Sequence, residues 1–343
     1  MISVTYRLTA PGMIQPDCRE FELQPREALL RPLYLSICRA DQRYYQGNRP
    51  PEVLAKKLPM ALIHECCATV VYDPTGTFKK GDTVVPCPNV PSEVDAFIAE
   101  NYLPSSKFRS SGYDGFMQEY VAVQPERLTK APANIPPQVL AFLELISVSM
   151  HALTRFDAIA HGRREKLAVW GDGNLGFIHS LLLRYLYPQA EITVLGVDEE
   201  KLSYFTFCDR RMHVNDLPKD KSRFCDHAFE CVGGQAAQYA INQMIDVISP
   251  EATISLLGVS ENPPPVNTRL VLEKGLRLFG SSRSGVADFQ AAADLLAQNP
   301  KAAAYLEQLV GEVIPVRSLP DIHKAFAADN HLRFGKTVMS WEI

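Results

Sequence analysis

The segment 171–176, Gly-Asp-Gly-Asn-Leu-Gly, restricts the possible folds of this chain more than any other. It has the pattern G-x-G-x-x-G, follows the short apolar run 167–170, and precedes apolar residues that recur with the period of an amphipathic helix. In this context the glycines permit a tight turn and let the backbone approach a pyrophosphate, and the helix N-terminus offers N–H groups to the anion. The segment therefore predicts a dinucleotide-binding βαβ unit. The cofactor-binding residues predicted from it are Gly171, Gly173, Asn174, Leu175 and Gly176.

Candidate strands and helices alternate along the chain from this region onwards. The strand-like runs are 167–170, 192–195, 228–232, 253–257 and 276–279. Such alternation predicts an α/β fold, with a doubly wound parallel sheet covered by helices on both faces. Residues 1–146 instead contain short β-type runs and turn signals, which predict a mostly β domain. We expect a dinucleotide-binding domain over 147–281, and we expect 282–343, too short for a domain, to pack back on the first one.

Composition and charge exclude several classes of protein. The chain has 343 residues and a formal net charge of −4, without a long basic run, so we expect neither nucleic-acid nor membrane binding. No stretch reaches the ~20 apolar residues of a membrane span, and the N-terminus lacks the apolar region of a signal peptide. The eight cysteines show no framework spacing, which is typical of free thiols in a reducing cytoplasm.

The end of the second predicted strand distinguishes between the two nicotinamide cofactors. An acidic residue there would bind the ribose 2′-OH of NAD and repel the 2′-phosphate of NADP. If Gly196 holds this position, no carboxylate opposes the phosphate and Lys201 can reach it. If Asp198 holds it, NAD is favoured; otherwise Asp198 caps the next helix and Lys201 is a solvated surface residue. The spacing favours Gly196 and hence NADP.

Four candidate metal ligands lie in apolar surroundings of the first domain. They are Cys38, His64, Glu65 and Glu144. Their separations match no compact zinc-finger spacing, so spacing alone does not establish a site. However, His64 and Glu65 directly follow the apolar run 60–63, and a buried pair of this kind needs polar or ionic partners.

The chain resembles the zinc-dependent medium-chain alcohol and polyol dehydrogenases over essentially its whole length. The motifs that carry the resemblance are 36–41 (SICRAD), 63–65 (IHE), 112–120 (GYDGFMQEY) and the turn at Gly171, in that order. Further stretches, 108–112, 170–176, 227–234 and 267–275, are similar to the bacterial ribulose-5-phosphate reductase (ribitol-5-phosphate dehydrogenase) branch, which feeds teichoic acid and capsule synthesis. The resemblance implies a Rossmann-type domain joined to a GroES-like catalytic domain.

The resemblance also implies roles for individual residues. Cys38, His64 and Glu144 match the ligand positions of one catalytic zinc ion, and Glu65 an adjacent ligand or a replacement during turnover. Asp41 matches a carboxylate that orients the zinc-binding histidine. Three protein ligands leave one position open for the substrate oxygen, whose carbonyl the ion polarises.

Two departures from the family pattern affect these expectations. Many relatives carry a Ser or Thr whose hydroxyl relays the proton where this chain has Ala40, so the relay must use water or another group. Many relatives also hold a structural zinc with four cysteines in the lobe that covers roughly 86–112 here. Only Cys87 lies in that lobe, so we expect no structural zinc, and we expect Cys66 and Cys67 to be core thiols.

A sugar-phosphate substrate would require cations near the metal. The arginines that adjoin the metal motifs are Arg43, Arg49 and Arg109, of which Arg109, beside the run 110–112, is favoured. Further hydrogen-bonding candidates are Tyr44, Tyr45, Ser110 and Ser111. We expect an NADPH- and zinc-dependent reduction of D-ribulose 5-phosphate to D-ribitol 5-phosphate. The product would pass to a cytidylyltransferase that makes CDP-ribitol, and the resemblance implies a homo-dimer or homo-tetramer. The alternatives are a zinc-dependent NAD(P) dehydrogenase of another polyol or polyol phosphate, a zinc-free reductase, and a nicotinamide-binding protein without catalysis.

Overall fold

A computed structural model describes residues 2–218 and 223–343. Within these residues the strands are β1 (Ile2–Ala10), β2 (Met13–Glu20), β3 (Ala28–Ser36), β4 (Met60–Ala61), β5 (Glu65–Tyr72), β6 (Thr83–Pro86), β7 (Asn89–Val90), β8 (Lys107–Phe108), β9 (Val121–Val123), β10 (Leu128–Lys130), β11 (Lys166–Trp170), β12 (Glu191–Gly196), β13 (Arg210–His213), β14 (Cys225–Glu230), β15 (Ile248–Leu256), β16 (Arg277–Gly280), β17 (Val310–Val316) and β18 (Lys336–Trp341). The helices are α1 (Arg39–Tyr45), α2 (Pro51–Lys57), α3 (Pro137–Leu140), α4 (Leu143–Ile159), α5 (Asn174–Leu186), α6 (Glu199–Ser203), α7 (Ala237–Val247), α8 (Thr268–Lys274), α9 (Val286–Gln298), α10 (Pro300–Glu307) and α11 (Leu319–His331).

The chain forms two compact units. The first comprises residues 1–147 and 283–343, and the second comprises 148–282. Each boundary therefore lies one residue beyond the division expected from the sequence. The first boundary falls inside α4, where no loop or change of composition marks it.

The second unit contains a six-stranded parallel sheet with the order β13-β12-β11-β14-β15-β16. This is the order 3-2-1-4-5-6 of a doubly wound sheet, which confirms the predicted fold class. Nearly every residue of β11, β12 and β14 is buried, as expected for strands covered on both faces. β13 was not predicted, because its sequence, Arg-Arg-Met-His, lacks the apolar run that marked the other strands.

The first unit consists mainly of β-structure. Its largest sheet has the order β10-β6-β5-β3-β18-β17, with β9 also pairing with β3, and two smaller sheets are β2-β1-β4 and β7-β8. The C-terminal residues join this unit because β18 pairs antiparallel with β3. This arrangement confirms the predicted mostly β domain and places the beginning of β5 beside the end of β3, where Ser36 lies opposite Glu65.

Candidate active site

The predicted ligands Cys38, His64 and Glu65 meet where β3 ends and β5 begins. Their donor atoms all lie within 4.8 Å of one another. Cys38 immediately precedes α1, while His64 follows Ile63, which has a left-handed backbone conformation with φ of 71°. Ile63 lies between β4 and β5, so the adjacent residues His64 and Glu65 reach the same point as Cys38, which is distant from them in the sequence.

Asp41 holds this arrangement together from the first turn of α1. Its carboxylate accepts hydrogen bonds from the Ile63 N–H at 2.9 Å, the Ser110 Oγ at 2.6 Å and the Cys38 N–H at 3.3 Å. The His64 Nδ1 lies 3.5 Å from the same carboxylate. With Nδ1 directed at Asp41, the Nε2 of His64 is the nitrogen that remains for a metal ion.

The charges of His64 and Asp41 stabilise each other. Burial opposes ionisation of the Asp41 carboxyl, but the charge of His64 and the hydrogen bonds from His64 and Ser110 lower its pKa below the usual value. Burial likewise opposes a charge on His64, yet the neighbouring Asp41 and Cys38 raise the pKa of His64 well above its usual value. Asp41 therefore stays ionised and keeps the imidazole oriented.

Lys336 is a member of the site that sequence reasoning missed. Its Nζ donates a hydrogen bond of 2.8 Å to the Oε1 of Glu65, and both side chains are buried. Burial by itself lowers the pKa of Lys336, but the negative charges of Glu65 and Cys38 raise it more. Lys336 opens β18 and comes from the C-terminal part of the chain, where no apolar or motif pattern distinguishes it from a surface lysine.

The donor set fits a zinc ion. Thiolate, imidazole and carboxylate are the ligands that zinc takes in proteins. The second carboxylate oxygen of Glu65, Oε2, is buried and lacks a hydrogen-bond partner among the residues that the structure describes. A buried carboxylate oxygen without a partner is unfavourable unless a cation binds it. The chemistry of the three residues thus supports the predicted metal site.

Glu144 lies near these residues but outside the group of three. It occupies the first turn of α4 and is buried. Burial, together with the negative charge of Glu65, raises the pKa of Glu144 to about 7. The role of Glu144 as a ligand therefore stays a prediction, whereas Cys38, His64 and Glu65 already have the required proximity.

The other predicted thiols and the 86–112 lobe show no metal-binding arrangement within the described residues. Cys66 and Cys67 are buried in β5, and burial raises the pKa of Cys67 to about 12. In the lobe, Arg127 donates to the Sγ of Cys87 at 3.2 Å and forms a two-pronged pair with Glu100 at 2.7 and 2.8 Å. The expected single zinc ion remains a prediction that metal analysis must test.

The predicted substrate contacts divide into two groups. Arg109 donates to the backbone carbonyls of Asp114 and Ala122 and lies over the rings of Tyr113 and Phe116. Since its guanidinium is already engaged in holding a loop, the geometry favours a structural role over the predicted phosphate contact.

Three of the remaining candidates are Ser110, Tyr44 and Arg43. The Ser110 hydroxyl is engaged with Asp41. Tyr44 is buried on α1, and Arg43 lies partly exposed on the same helix. Ser110 therefore supports the metal site directly, and Tyr44 lies one helical turn beyond Asp41.

The glycine loop of the second unit has the geometry that a dinucleotide requires. Gly171 has φ of 132°, and a Cβ there would lie 2.8 Å from the backbone of Cys231. A Cβ on Gly176 would lie 1.9 Å from the carbonyl oxygen of Gly171. Gly173 precedes α5, and a Cβ there would meet nothing within 4 Å, which is the open position that a pyrophosphate needs.

The prediction for Gly196 assumed that no carboxylate lies at the end of β12, but the carboxylate of Asp172 lies there. β12 ends at Gly196, and a Cβ there would lie 2.5 Å from the side chain of Asp172. The Asp172 carboxylate accepts hydrogen bonds from the backbone N–H groups of Val197 and Asp198, at 2.7 and 2.9 Å. This carboxylate is therefore engaged with the loop after β12.

Asp198 and Lys201 lie immediately beyond Gly196. Asp198 caps α6 by accepting from the Lys201 N–H at 3.2 Å. The Lys201 Nζ is 4.0 Å from Asp198 and stays partly exposed. Because Asp198 is needed as the N-cap of α6, the presence of an acidic residue at this position does not by itself favour NAD.

Comparisons with known proteins agree with this geometry. Residues 24–133 match the alcohol dehydrogenase GroES-like domain. The chain is 52% identical to the ribulose-5-phosphate reductase of Bacillus spizizenii and 45% identical to that of Streptococcus pneumoniae, each match covering at least 98% of both proteins. The crystal structure of S. aureus TarJ in complex with NADPH matches with a TM-score of 0.88 and 43% identity over the whole of both chains. Among the described residues, none of the helices has the length and apolar character to cross a membrane.

Proposed function

This chain belongs to the zinc-type medium-chain dehydrogenases, close to the ribulose-5-phosphate reductases, and from that membership we propose that it reduces D-ribulose 5-phosphate to D-ribitol 5-phosphate with NADPH and zinc. The observation that carries the proposal is the Cys38–His64–Glu65 group beside the Asp41 carboxylate, in a chain that also has the dinucleotide loop at Gly171.

The first unit would hold the metal ion and orient its ligands. Cys38, His64 and Glu65, with Glu144 as the further predicted ligand, would hold the zinc ion, which when bound polarises the substrate carbonyl. Asp41 favours the His64 tautomer with the proton on Nδ1, which leaves Nε2 available to the ion. Since Ala40 has no hydroxyl, we propose that water brings the proton to the product oxygen.

The second unit would bind the cofactor, which when bound supplies the hydride for C2 of the substrate. The first turn of α5, at Asn174, Leu175 and Gly176, would face the pyrophosphate. Gly196 presents no side chain to the ribose, and Lys201 would reach the 2′-phosphate that distinguishes NADP from NAD.

The test is the oxidation of NADPH followed by absorbance, with D-ribulose 5-phosphate as substrate. NADH and unphosphorylated D-ribulose are run beside it, and each reaction is repeated after treatment with a strong zinc chelator. We expect fast turnover with D-ribulose 5-phosphate, far slower but measurable turnover of D-ribulose, a preference for NADPH, and loss of both activities on chelation. Absence of turnover by folded, zinc-loaded protein would refute the substrate, whereas turnover that survives metal removal would refute the role of zinc.

We further propose that the protein acts as a homo-oligomer. Val94, Phe97 and Ile98 are exposed at one turn of the 86–112 lobe, where Asp95 accepts hydrogen bonds from the N–H groups of Phe97 and Ile98. Clustered exposed apolar side chains of this kind are typical of protein interfaces. Size-exclusion chromatography with light scattering should show an oligomer that Phe97→Asp weakens; a wild-type monomer would refute the proposal.

The cellular setting follows from the proposed product. D-ribitol 5-phosphate would be consumed by a cytidylyltransferase that produces CDP-ribitol for teichoic acid or capsule synthesis, and we place the enzyme in the cytoplasm, where NADPH is available. The eight cysteines are unpaired, which is the state expected in a reducing compartment. A coupled assay with a cytidylyltransferase and CTP would test the product directly, since only ribitol 5-phosphate of the correct configuration would yield CDP-ribitol.

A further inference from the structure

We propose that the substrate phosphate is bound by Arg49 and Lys57, two cations that share the ring of Tyr44, together with the hydroxyl of Ser111. This inference rests on the proposed function and identifies the part of the site that recognises the phosphate. These four residues are called the Tyr44 cluster below.

The two cations of the Tyr44 cluster are held against the same aromatic ring. The Arg49 Cζ lies 4.9 Å and the Lys57 Nζ 5.7 Å from the centroid of Tyr44. Tyr44 itself, on α1, is only 3% exposed, so its ring is held by packing. The Lys57 Nζ also donates a hydrogen bond of 2.9 Å to the Ser111 Oγ.

Neither cation has an acidic partner in the part of the chain that the structure describes. Other arginines of this unit do have one: Arg127 pairs with Glu100, and Arg7 pairs with Asp114. The Nε of Arg49 is buried without a hydrogen-bond acceptor among the described residues, as are those of Arg109 and Arg127, so the missing acidic partner is what distinguishes Arg49 from Arg127. Two neighbouring positive charges and an unpaired buried donor cost free energy in the absence of an anion.

A phosphate group would satisfy these groups together. It carries up to two negative charges, and its oxygens can accept from a guanidinium, an ammonium group and a hydroxyl at the same time. The partial exposure of Arg49 and Lys57 leaves room for such a ligand to enter. The cluster therefore matches a phosphate in charge and in hydrogen-bonding capacity.

The Tyr44 cluster is connected directly to the metal-ligand residues. Ser111 follows Ser110, whose hydroxyl donates to Asp41, and Asp41 contacts His64. Tyr44 stands three residues after Asp41 on α1, which places both side chains on the same face of the helix. The phosphate end of a short sugar chain bound here would thus have its carbonyl end near Cys38 and His64.

Arg283 is the strongest rival for the phosphate. Its guanidinium lies 4.5 Å from the ring of Phe108, which itself packs against His64 at 5.2 Å between ring centroids. However, the charge of the Glu144 carboxylate acts on Arg283. Among the described residues, Arg49 and Lys57 instead contact the ring of Tyr44 and, for Lys57, the Ser111 hydroxyl. The Tyr44 cluster also offers two cations and a hydroxyl instead of one cation.

The proposal is tested with the zinc-loaded enzyme and the variants Arg49→Ala and Lys57→Ala. Each should raise KM for D-ribulose 5-phosphate by about 10- to 100-fold, the effect of losing a hydrogen bond to a charged group. The value of kcat/KM for unphosphorylated D-ribulose and KM for NADPH should stay unchanged. Lys56→Ala is the matched control, since Lys56 is exposed on the same helix, and it should leave all constants at the wild-type values.

Three outcomes would overturn the proposal. Equal losses with D-ribulose and its phosphate would assign Arg49 and Lys57 to general structure. A phosphate-specific loss in Arg283→Ala, with none in the other two variants, would place the phosphate at Arg283. If the wild-type enzyme does not reduce D-ribulose 5-phosphate, the proposed function fails, and calorimetric titration with inorganic phosphate tests the anion site separately. Phosphate binding that Lys57→Ala abolishes would support the site. Absence of phosphate binding to the wild-type protein would refute the site.

Discussion

Lys336 donates a hydrogen bond to Glu65 across 271 positions of the sequence, and both side chains are almost completely shielded from water. One oxygen of Glu65, Oε1, is thereby engaged, while the other, Oε2, is buried without a hydrogen-bond partner among the described residues. The lysine thus fixes the orientation of a carboxylate that we propose as a metal ligand.

Replacing Lys336 by Met should destabilise the protein by about 3–5 kcal/mol, because it leaves the buried charge of Glu65 without its partner. The double variant Lys336→Met/Glu65→Gln should recover most of that loss, since neither charge remains. Urea denaturation measures both. Lys301→Met, at an exposed lysine, serves as control, and a double variant as unstable as the single one would contradict the pairing.

Cys38→Ser should lower the zinc content well below one ion per chain and reduce activity by at least ~100-fold, because a thiolate ligand is lost and the carbonyl is no longer polarised. Elemental analysis of the purified protein gives the metal content. Cys18→Ser removes an exposed cysteine and should change neither quantity. Two zinc ions per wild-type chain would refute the expectation of a single zinc site. One zinc ion per chain in Cys38→Ser would refute the assignment of Cys38 as a ligand.

Lys201→Ala should raise KM for NADPH by about 10-fold and leave KM for NADH unchanged, because only the former cofactor carries the 2′-phosphate. Steady-state kinetics with both cofactors provide the comparison. Lys166→Ala, at an exposed lysine that begins β11, is the control within the same unit. Equal effects on the two cofactors would show that Lys201 does not recognise the phosphate.

His179 should make the protein sensitive to acid. It lies fully buried on α5, neither ring nitrogen has a partner among the described residues, and burial lowers its pKa to about 3. In the unfolded chain the histidine pKa is about 6.5, so at pH 5 the unfolded chain binds a proton at His179 and the folded chain does not. His179 therefore lowers the free energy of unfolding by about 2 kcal/mol at pH 5. The cost is absent well above pH 6.5.

The variant His179→Leu removes this dependence. At pH 8 its free energy of unfolding should be at least that of wild type. At pH 5 the advantage of the variant over wild type should be about 2 kcal/mol larger than at pH 8. Denaturation at the two pH values is the measurement, with exposed His331→Leu as the matched control. The same difference in stability at both pH values would show that the His179 imidazole does not titrate as its burial requires.

Local sequence patterns accounted for much of the architecture. The glycine turn at Gly171, the apolar strands beside it and the helix that follows are all encoded within a short stretch, because glycine conformation and side-chain periodicity are properties of neighbouring residues. The polar edge strand β13 escaped prediction for the same reason, since its pairing with β12 leaves no apolar pattern in its sequence.

The predictions about single side chains were less complete. Cys38, His64 and Glu65 were recognised through motifs and lie together. Arg109 was the favoured candidate for binding a phosphate, yet its guanidinium donates to backbone carbonyls. A basic residue in sequence carries the same charge whatever it contacts, so only its neighbours in space distinguish a ligand-binding arginine from a structural one.

The sequence by itself thus determined the parallel sheet, the cofactor loop and the types of residue that could bind a metal. Only the tertiary structure decided what each charged group contacts: Lys336 contacts Glu65, Asp172 accepts from backbone N–H groups after β12, and Arg49 and Lys57 each contact the ring of Tyr44. The reason is physical. Turns and periodic faces arise from interactions between near neighbours, whereas the partner of a buried or half-buried charge depends on strands and loops that the chain brings together from distant positions.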